Sequence, residues 1–268
     1  MTVTYDPRHP DYGDEGDLRE EMTRVFDLCA GCRLCQSLCP SFHTLLGLVD
    51  SHDGEAKLMT APEQDQVVDE CYQCKLCYLK CPYVPPHEWE LDFPRLMLRA
   101  ESRKAEKAGP KYKLTTEVLA RTDLLGHVGV ASAPVANPIL QKPGSPVRQV
   151  MDKVLGVAAE RVLPPYAKQR FSTWFRKRGA GRLGRVQQNK VALFHTCMVE
   201  YHDTSVGQDL VKVYERNGVR CDLVEGWRCC GAPWLHSGEH ERFRAQAQLN
   251  VEALVRAVRQ GADVVVPE

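Results

Sequence analysis

The chain has 268 residues, 12 of them cysteine, and a formal net charge of +0. A chain this long favours two domains, each able to bury its own core. It holds no run of 18 apolar residues, so no bilayer-spanning helix is expected. The acidic opening MTVTYDPRHPDYGDEGD lacks the basic and apolar regions of a secretory leader. A cytoplasmic location is therefore expected, where cysteines stay reduced and more often hold metal than form disulfides.

In chain order, Leu18, Met22, Val25 and Phe26 recur at helical spacing and predict a helix running into Cys29. Between Cys39 and Cys71 the sequence shows no strand alternation and carries an apolar stretch at 45–49. Asp92 can cap a helix with Pro94 in its first turn and Phe93, Leu96, Met97 and Ala100 on one face. Residues 17–100 thus read as an all-α ferredoxin-type domain, a small βαββαβ ferredoxin having little room for such helices. Residues 101–189 contain no cysteine and read as a basic helical connector. Val147, Val150, Met151, Val154 and Leu155 share one helical face closed by Gly156, and Phe171, Trp174, Phe175 and Arg178 share another. Gly179-Ala-Gly181-Arg-Leu-Gly184 mimics a dinucleotide fingerprint, but its arginine-rich flanks and the lack of a preceding apolar strand make it connector. Residues 190–268 alternate. A strand is predicted at 191–194, then a helix through Val206, Leu210, Val213 and Tyr214 ending at Gly218, then a strand at 219–224. A long helix through Phe243, Ala247, Val251, Leu254 and Val258 stops at Gly261, and a last strand begins at Val264. This βαβαβ order predicts a parallel sheet with right-handed crossovers. The fold class is therefore α plus α/β.

The zero net charge hides an asymmetry. Residues 1–94 carry 7 Lys and Arg against 18 Asp and Glu, residues 95–190 carry 20 against 6, and residues 191–268 carry 8 against 11. Such a basic block predicts a docking surface for anionic lipid or for an acidic partner. No nucleic-acid-binding fold accompanies it, so nucleic acid is not an expected partner.

Eight cysteines fall in two copies of C-x-x-C-x-x-C-x-x-x-C-P: Cys29, Cys32, Cys35 and Cys39 before Pro40, and Cys71, Cys74, Cys77 and Cys81 before Pro82. Three cysteines at intervals of three wrap a loop around one face of a cubane, each thiolate reaching a different iron. Structural zinc also uses paired cysteines, but it gives no reason for the third cysteine or for Cys-Pro twice. The motifs predict two [4Fe–4S] clusters. They resemble those of two-cluster ferredoxins, in which the fourth cysteine ligates the other cluster. That resemblance implies Cys29, Cys32, Cys35 and Cys81 for one cluster, and Cys71, Cys74, Cys77 and Cys39 for the other. Leu34, Leu38, Leu76 and Leu79 lie between the ligands and are expected to shield the clusters, solvent exposure being one lever on potential.

His195-Thr-Cys197 and Cys229-Cys230-Gly231-Ala-Pro233 follow the first two strands of the last region. Both loops leave the carboxyl edge of a parallel sheet, where such sheets bind ligands. Cys197, Cys229 and Cys230 can converge there on a third, incomplete metal site. The alternatives are a vicinal disulfide or buried small hydrophobes. Cys221 lies inside a strand and is expected in the core. His195 and His202 flank Cys197 and rank above His236 and His240 as proton carriers, although a lone histidine is more often structural. The spacing Cys197-x31-Cys229-Cys230-Gly231 resembles the cysteine-rich CCG domain of heterodisulfide reductases and of iron–sulfur subunits of flavin dehydrogenases. The resemblance implies a further C-x-x-C close to where the sequence stops at Glu268, so a fragment is expected.

The three regions together resemble the C subunit of the anaerobic glycerol-3-phosphate dehydrogenase over about residues 20–268. Arg121-Thr-Asp-Leu-Leu-Gly-His127, Pro146-Val-Arg-Gln-Val-Met-Asp-Lys-Val-Leu-Gly156 and Phe171-Ser-Thr-Trp-Phe-Arg176 carry the likeness in the connector. The iron–sulfur protein of glycolate oxidase and the D subunit of heterodisulfide reductase share the domain order. The resemblance implies an electron-transfer subunit fed by a separate flavoprotein and draining towards membrane quinone; no catalytic residue is identified. Other readings are a heterodisulfide- or disulfide-reducing catalytic subunit and an iron–sulfur sensor or scaffold. The basic connector, with its aromatic helix at 171–178, is expected to rest on anionic lipid at the inner face of the cytoplasmic membrane. A solvated basic face or a contact with the acidic first domain competes with that expectation.

Overall fold

Helix ends in this chain are written by caps and cysteines, and the architecture follows from where they fall. A computed structural model describes residues 3–178 and 189–267. Two compact units emerge, Met1–Gly109 with Trp234–His240, and Pro110–Pro233 with Glu241–Glu268. Residues 101–189, expected as one connector, are divided between them: 101–107 complete a helix of the first unit, and Pro110 onward belongs with the sheet. The fingerprint-like Gly179–Gly184 lies outside the described residues.

The first unit holds helices and no strand among its described residues. Asp14 caps α1 (Glu15–Cys32), its side chain accepting from the Asp17 N–H at 2.8 Å. Leu18, Met22, Val25 and Phe26 point inward, as their spacing predicts. The helix runs through Cys29 to Cys32, where Arg33 at φ 56° closes it. Pro40 then occupies the first turn of α2 (Pro40–Ser51), which buries Phe42, Leu45, Leu46 and Val49. Thr60 and Glu63 form a capping box at α3 (Ala61–Asp69). The short α4 (Leu76–Lys80) lies within the second cysteine motif. Asp92 accepts from the Arg95 N–H at 2.9 Å to start α5 (Phe93–Lys107), which buries Phe93, Leu96, Met97 and Ala100. These faces share one core, with the Phe42 and Phe93 rings stacked at 4.6 Å.

Arg99 of α5 is fully buried. Its guanidinium donates to the carbonyls of Tyr12 and Asp11, each at 2.8 Å, and pairs with Asp17 at 2.6 Å. One side chain thereby pins the N-terminal segment to α1 and α5. Helical spacing alone offers no sign of such a residue.

The second unit begins with α6 (Pro110–Leu119), α7 (Thr122–Ala131), α8 (Ala133–Leu140), α9 (Pro146–Leu155) and α10 (Phe171–Lys177). It continues as β1 (Lys190–Leu193), α11 (Cys197–Tyr201), α12 (Thr204–Arg216) and β2 (Arg220–Leu223), then α14 (His240–Arg259) from Glu241 onward and β3 (Asp263–Val265), while the short α13 (Ala232–His236) belongs to the first unit from Trp234 on. The strands form a small parallel sheet in the order β2-β1-β3, with Val191 opposite both Cys221 and Asp263. Central β1 is covered on both faces. Val191 and Leu193 pack with Phe171, Val199 and Val211, while Ala192 and Phe194 pack with Val224, Ala253 and Ala262. A parallel strand buried on both sides reads as a continuous apolar run, and this one does.

Two connector helices differ from expectation. The aromatic face of α10 does not face outward: Phe171 is fully buried, and Trp174 and Phe175 pack against the same core. Arg178 lies over the Phe175 ring at 4.1 Å and pairs with Glu215 at 2.7 Å. The aromatic residues expected on lipid are instead part of the sheet's packing. On α9 the inversion runs the other way. Val147, Val150 and Val154 are 49%, 59% and 57% exposed, while Arg148 is fully buried and donates to the carbonyls of Ala158 and Arg161. An apolar period shows that a helix has two faces, and it does not say which neighbour covers either. Among the described residues no helix is long and apolar enough to cross a membrane.

Replacing Arg99 with Met removes the guanidinium that holds residues 11 and 12, and limited proteolysis should then cut the segment before α1 at a much increased rate. In the second unit, a Cβ at Gly126 would lie 2.4 Å from the buried Tyr201 ring. Gly126→Ala should cost about 1–3 kcal/mol, read as a lower thermal midpoint; an unchanged midpoint would contradict this packing.

Candidate metal centres

In the first unit the cysteines sit where helices end. Cys29 and Cys32 lie on the last turn of α1, and Cys39 is the N-cap of α2. Cys77 lies on α4 and Cys81 at its C-cap. Tight turns between them place Arg33, Gln73 and Lys75 at φ 56°, 54° and 61°, a region that few non-glycine residues adopt. All eight are free thiols.

Their grouping crosses the motifs. Cys29 is surrounded by Cys35, Cys81, Cys77 and Cys32. Cys81 lies near Cys32 and Cys35. Cys71 has Cys39 and Cys74 as neighbours, and Cys77 has Cys35, Cys71 and Cys39. Cys39 and Cys81 thus each have neighbours in the other motif, and Cys35 neighbours Cys32, Cys39 and Cys81 alike, so the thiols of the two motifs adjoin.

Burial first, and then neighbouring thiols, push five of these groups up. Cys71 rises to about 11 and Cys77 to about 12, and Cys29, Cys35 and Cys81 rise as well. Lys80 offsets part of this at Cys35. Adjacent thiolates in such surroundings require positive charge between them, which iron bound there would supply. Eight soft sulfur donors gathered at adjoining helix ends and turns match the chemistry of iron–sulfur ligation. Among the described residues no three Cys, His, Asp or Glu side chains converge as ligands of a single ion do; a four-iron cluster rests on thiolates set further apart than those of one ion.

The expected leucine shield is only partly built. Leu34, Leu76 and Leu79 are 48%, 52% and 81% exposed. Leu38 and Leu76 line a narrow cleft with Cys39, Cys71, Cys74 and Cys77, and the aromatic walls of that cleft include Phe42 and Phe93. Shielding thus comes from helix faces distant in sequence. The same cleft holds Gln73, whose buried side-chain amide has no hydrogen-bond partner. The Tyr83 N–H donates to Cys81 Sγ at 3.4 Å, one of the contacts that tune a cluster's potential. The Cys-Pro-Tyr order was the available signal for it.

In the second unit, Thr196 is the N-cap of α11, and Cys197 is that helix's first residue. Cys229 and Cys230 occupy the loop after β2. Cys229 touches each of the other two: it is raised first by its hydrogen bond with Cys197, and Cys230 is raised far by its contact with Cys229. Cys229 is buried and Cys230 exposed. Cys221 is buried in the core beside Val191, and burial raises it to about 11. His195 stacks on Trp227 at 4.4 Å, and burial holds it below its ordinary pKa against the opposing pull of Glu200 at 3.4 Å. His202 faces the Pro165 carbonyl at 2.9 Å and stacks on Tyr166, a structural role. His236 and His240 belong to the first unit.

Two family profiles match the chain. Residues 22–108 match the citrate utilization protein B Fer4-like domain, and residues 191–268 match the cysteine-rich CCG domain. The C subunit of anaerobic glycerol-3-phosphate dehydrogenase from Escherichia coli K12 is 35% identical over 158 residues, covering 57% of this chain and 39% of that protein. Over that stretch the chain is a homologue of that protein. Lactate utilization protein A of Bacillus velezensis is 37% identical over 78 residues, 29% of this chain and 31% of the relative. A Bacillus cereus lactate utilization protein A 2 is 33% identical over 78 residues. The matched stretches thus span well under half the length of these curated relatives. No solved structure matches significantly. The matches support an iron–sulfur, electron-transport role within an oxidoreductase.

Cys39→Ala should disturb the group containing Cys71 and Cys77 more than its own motif, whereas Cys221→Ala should leave bound iron unchanged. Iron analysis with cluster absorption checks both; equal losses from the two variants would contradict the crossed grouping.

Proposed function

We propose that the chain is an iron–sulfur relay of a flavin-dependent dehydrogenase of the glycerol-3-phosphate type. The observation that supports this is the adjoining set of thiols in which Cys39 and Cys81 each neighbour cysteines of the other motif. Cys29, Cys32, Cys35 and Cys81 would hold one [4Fe–4S] cluster, and Cys71, Cys74, Cys77 and Cys39 the other. Bound clusters supply one-electron carriers, two in series making a path between separated redox partners. The protein's own part is to fix the thiols on helix ends, to exclude water with Phe42 and Phe93, and to donate the Tyr83 N–H to Cys81. Similarity to the C subunit of a dehydrogenase supports a separate flavoprotein as donor. Cys197, Cys229 and Cys230 would form a third site on the way to a quinone acceptor.

A cytoplasmic location, peripheral on the inner face of the cytoplasmic membrane, belongs to the same proposal. With α10 packed inward, the support moves to α7, α8 and α9. Leu124, Val128, Val135, Ile139, Val150 and Val154 are exposed there, within the chain's basic segment. Apolar side chains flanked by lysine and arginine suit an anionic surface. A second reading, a disulfide-reducing enzyme, is favoured by exposed Cys230 beside buried Cys229, the arrangement of an accessible thiol with an inner partner. Turnover of a disulfide substrate by the chain alone would select that reading.

Anaerobic reconstitution should yield about eight irons per chain and, on reduction, two interacting [4Fe–4S]⁺ signals by electron paramagnetic resonance. Fewer than about six irons would overturn the two-cluster assignment. Flotation with anionic vesicles at low salt should carry the wild-type chain upward and leave Val150→Asp/Val154→Asp behind; wild-type protein in the soluble fraction would sink the lipid contact.

A further inference from the structure

The loop carrying Cys229 is gripped from both ends of its residue. Asp123 Oδ2 accepts the Cys229 N–H at 3.1 Å, and its Oδ1 takes the hydroxyl of buried Tyr201 at 3.3 Å. On the carbonyl side, Asn250 Nδ2 and Gln246 Nε2 of α14 both donate to the Cys229 oxygen at 2.9 Å. The neighbouring Thr122 hydroxyl is buried, has no nitrogen or oxygen partner, and lies against the Cys229 thiol. The result is an asymmetric pair, with Cys229 turned inward towards Cys197 and Cys230 left in solvent.

Thr122 and Asp123 begin α7, and the Asp123–Cys229 contact spans 106 residues. Both lie outside the 191–268 stretch that matches the cysteine-rich domain. An aspartate beside three thiols is an unexpected choice, since a free carboxylate would oppose thiolate formation. Here its two oxygens face an N–H and a hydroxyl, so it acts as an acceptor that orders the peptide. We infer that Thr122 and Asp123 are positioning residues of the Cys197–Cys229–Cys230 site, which is therefore built jointly by the connector and the cysteine-rich domain. Asp123 sets the Cys229 peptide, and Thr122 holds the sulfur. This inference rests on the reading of those three cysteines as a metal-binding or redox group.

The test uses the full chain with its first two clusters loaded. Iodoacetamide labelling, mapped by mass spectrometry, gives a separate rate for each cysteine. Asp123→Ala should speed Cys229 labelling by about tenfold, the loss of one hydrogen bond to a charged group, and Thr122→Val should slow it by a similar factor, because the hydroxyl that donates to the reactive thiolate is lost. Asp123→Asn and Thr122→Ser keep an acceptor and a hydroxyl, and should stay within about threefold of wild type. Cys221, buried in the neighbouring strand, should keep its rate in all four. Unchanged Cys229 labelling would overturn the inference. So would a parallel rise at Cys221, which marks general loosening, or a failure of the Asn and Ser variants to rescue. Ferrous iron titration separates the underlying reading. If the wild-type chain takes up no iron beyond its two clusters, the third metal site is lost, and the labelling rates still decide the positioning role.

Discussion

Thiolates cannot be buried side by side unless positive charge sits among them. The first unit is organised around that constraint. Helices α1, α2 and α4 each place a cysteine at an end or cap, so the sulfur-bearing turns gather at one region and pack against the apolar core that the helix faces form. Burial lifts the thiols well above their ordinary range. Iron held by these cysteines would relieve a cost already present in the fold, and its binding would release protons because the ligands must be thiolates. The same closeness that makes the thiols poor acids makes them a good cluster cage.

The second unit solves a different problem. Its sheet has three strands, too few to bury both faces without help. Connector helices supply it: α10 covers one face of β1 with Phe171, and α7 meets α11 through Gly126 against the Tyr201 ring. Through α7 the connector also reaches the Cys229 loop. A segment that looked like a spacer is therefore structural support for the sheet and for the cysteines at its edge.

Much of the local structure was legible. The caps at Asp92 and Gly156, the face of α1, and the strand–helix alternation after residue 190 appear near their predicted places. The Thr60–Glu63 capping box was equally readable from its spacing. What failed was the assignment of faces to surroundings. The α10 aromatics went inward and the α9 valines outward, although both helices carry the same kind of period. Buried Arg99 and Arg148 were invisible, because a buried guanidinium depends on carbonyls supplied by loops elsewhere in the fold.

By itself the sequence determined the ligand chemistry. Eight cysteines at intervals of three, with proline after each fourth, specify the donor set and the local turns, since ligand spacing along a chain is a short-range property. Helix limits follow from the same locality. Only the tertiary structure brought the two motifs together, with Cys39 near Cys71 and Cys77 as well as Cys35, and Cys81 near Cys29, Cys32 and Cys35. It also decided which of two adjacent cysteines is buried, and it brought Asp123 to Cys229. Those outcomes depend on packing between residues far apart in the chain, and no local pattern encodes which distant surface will be met.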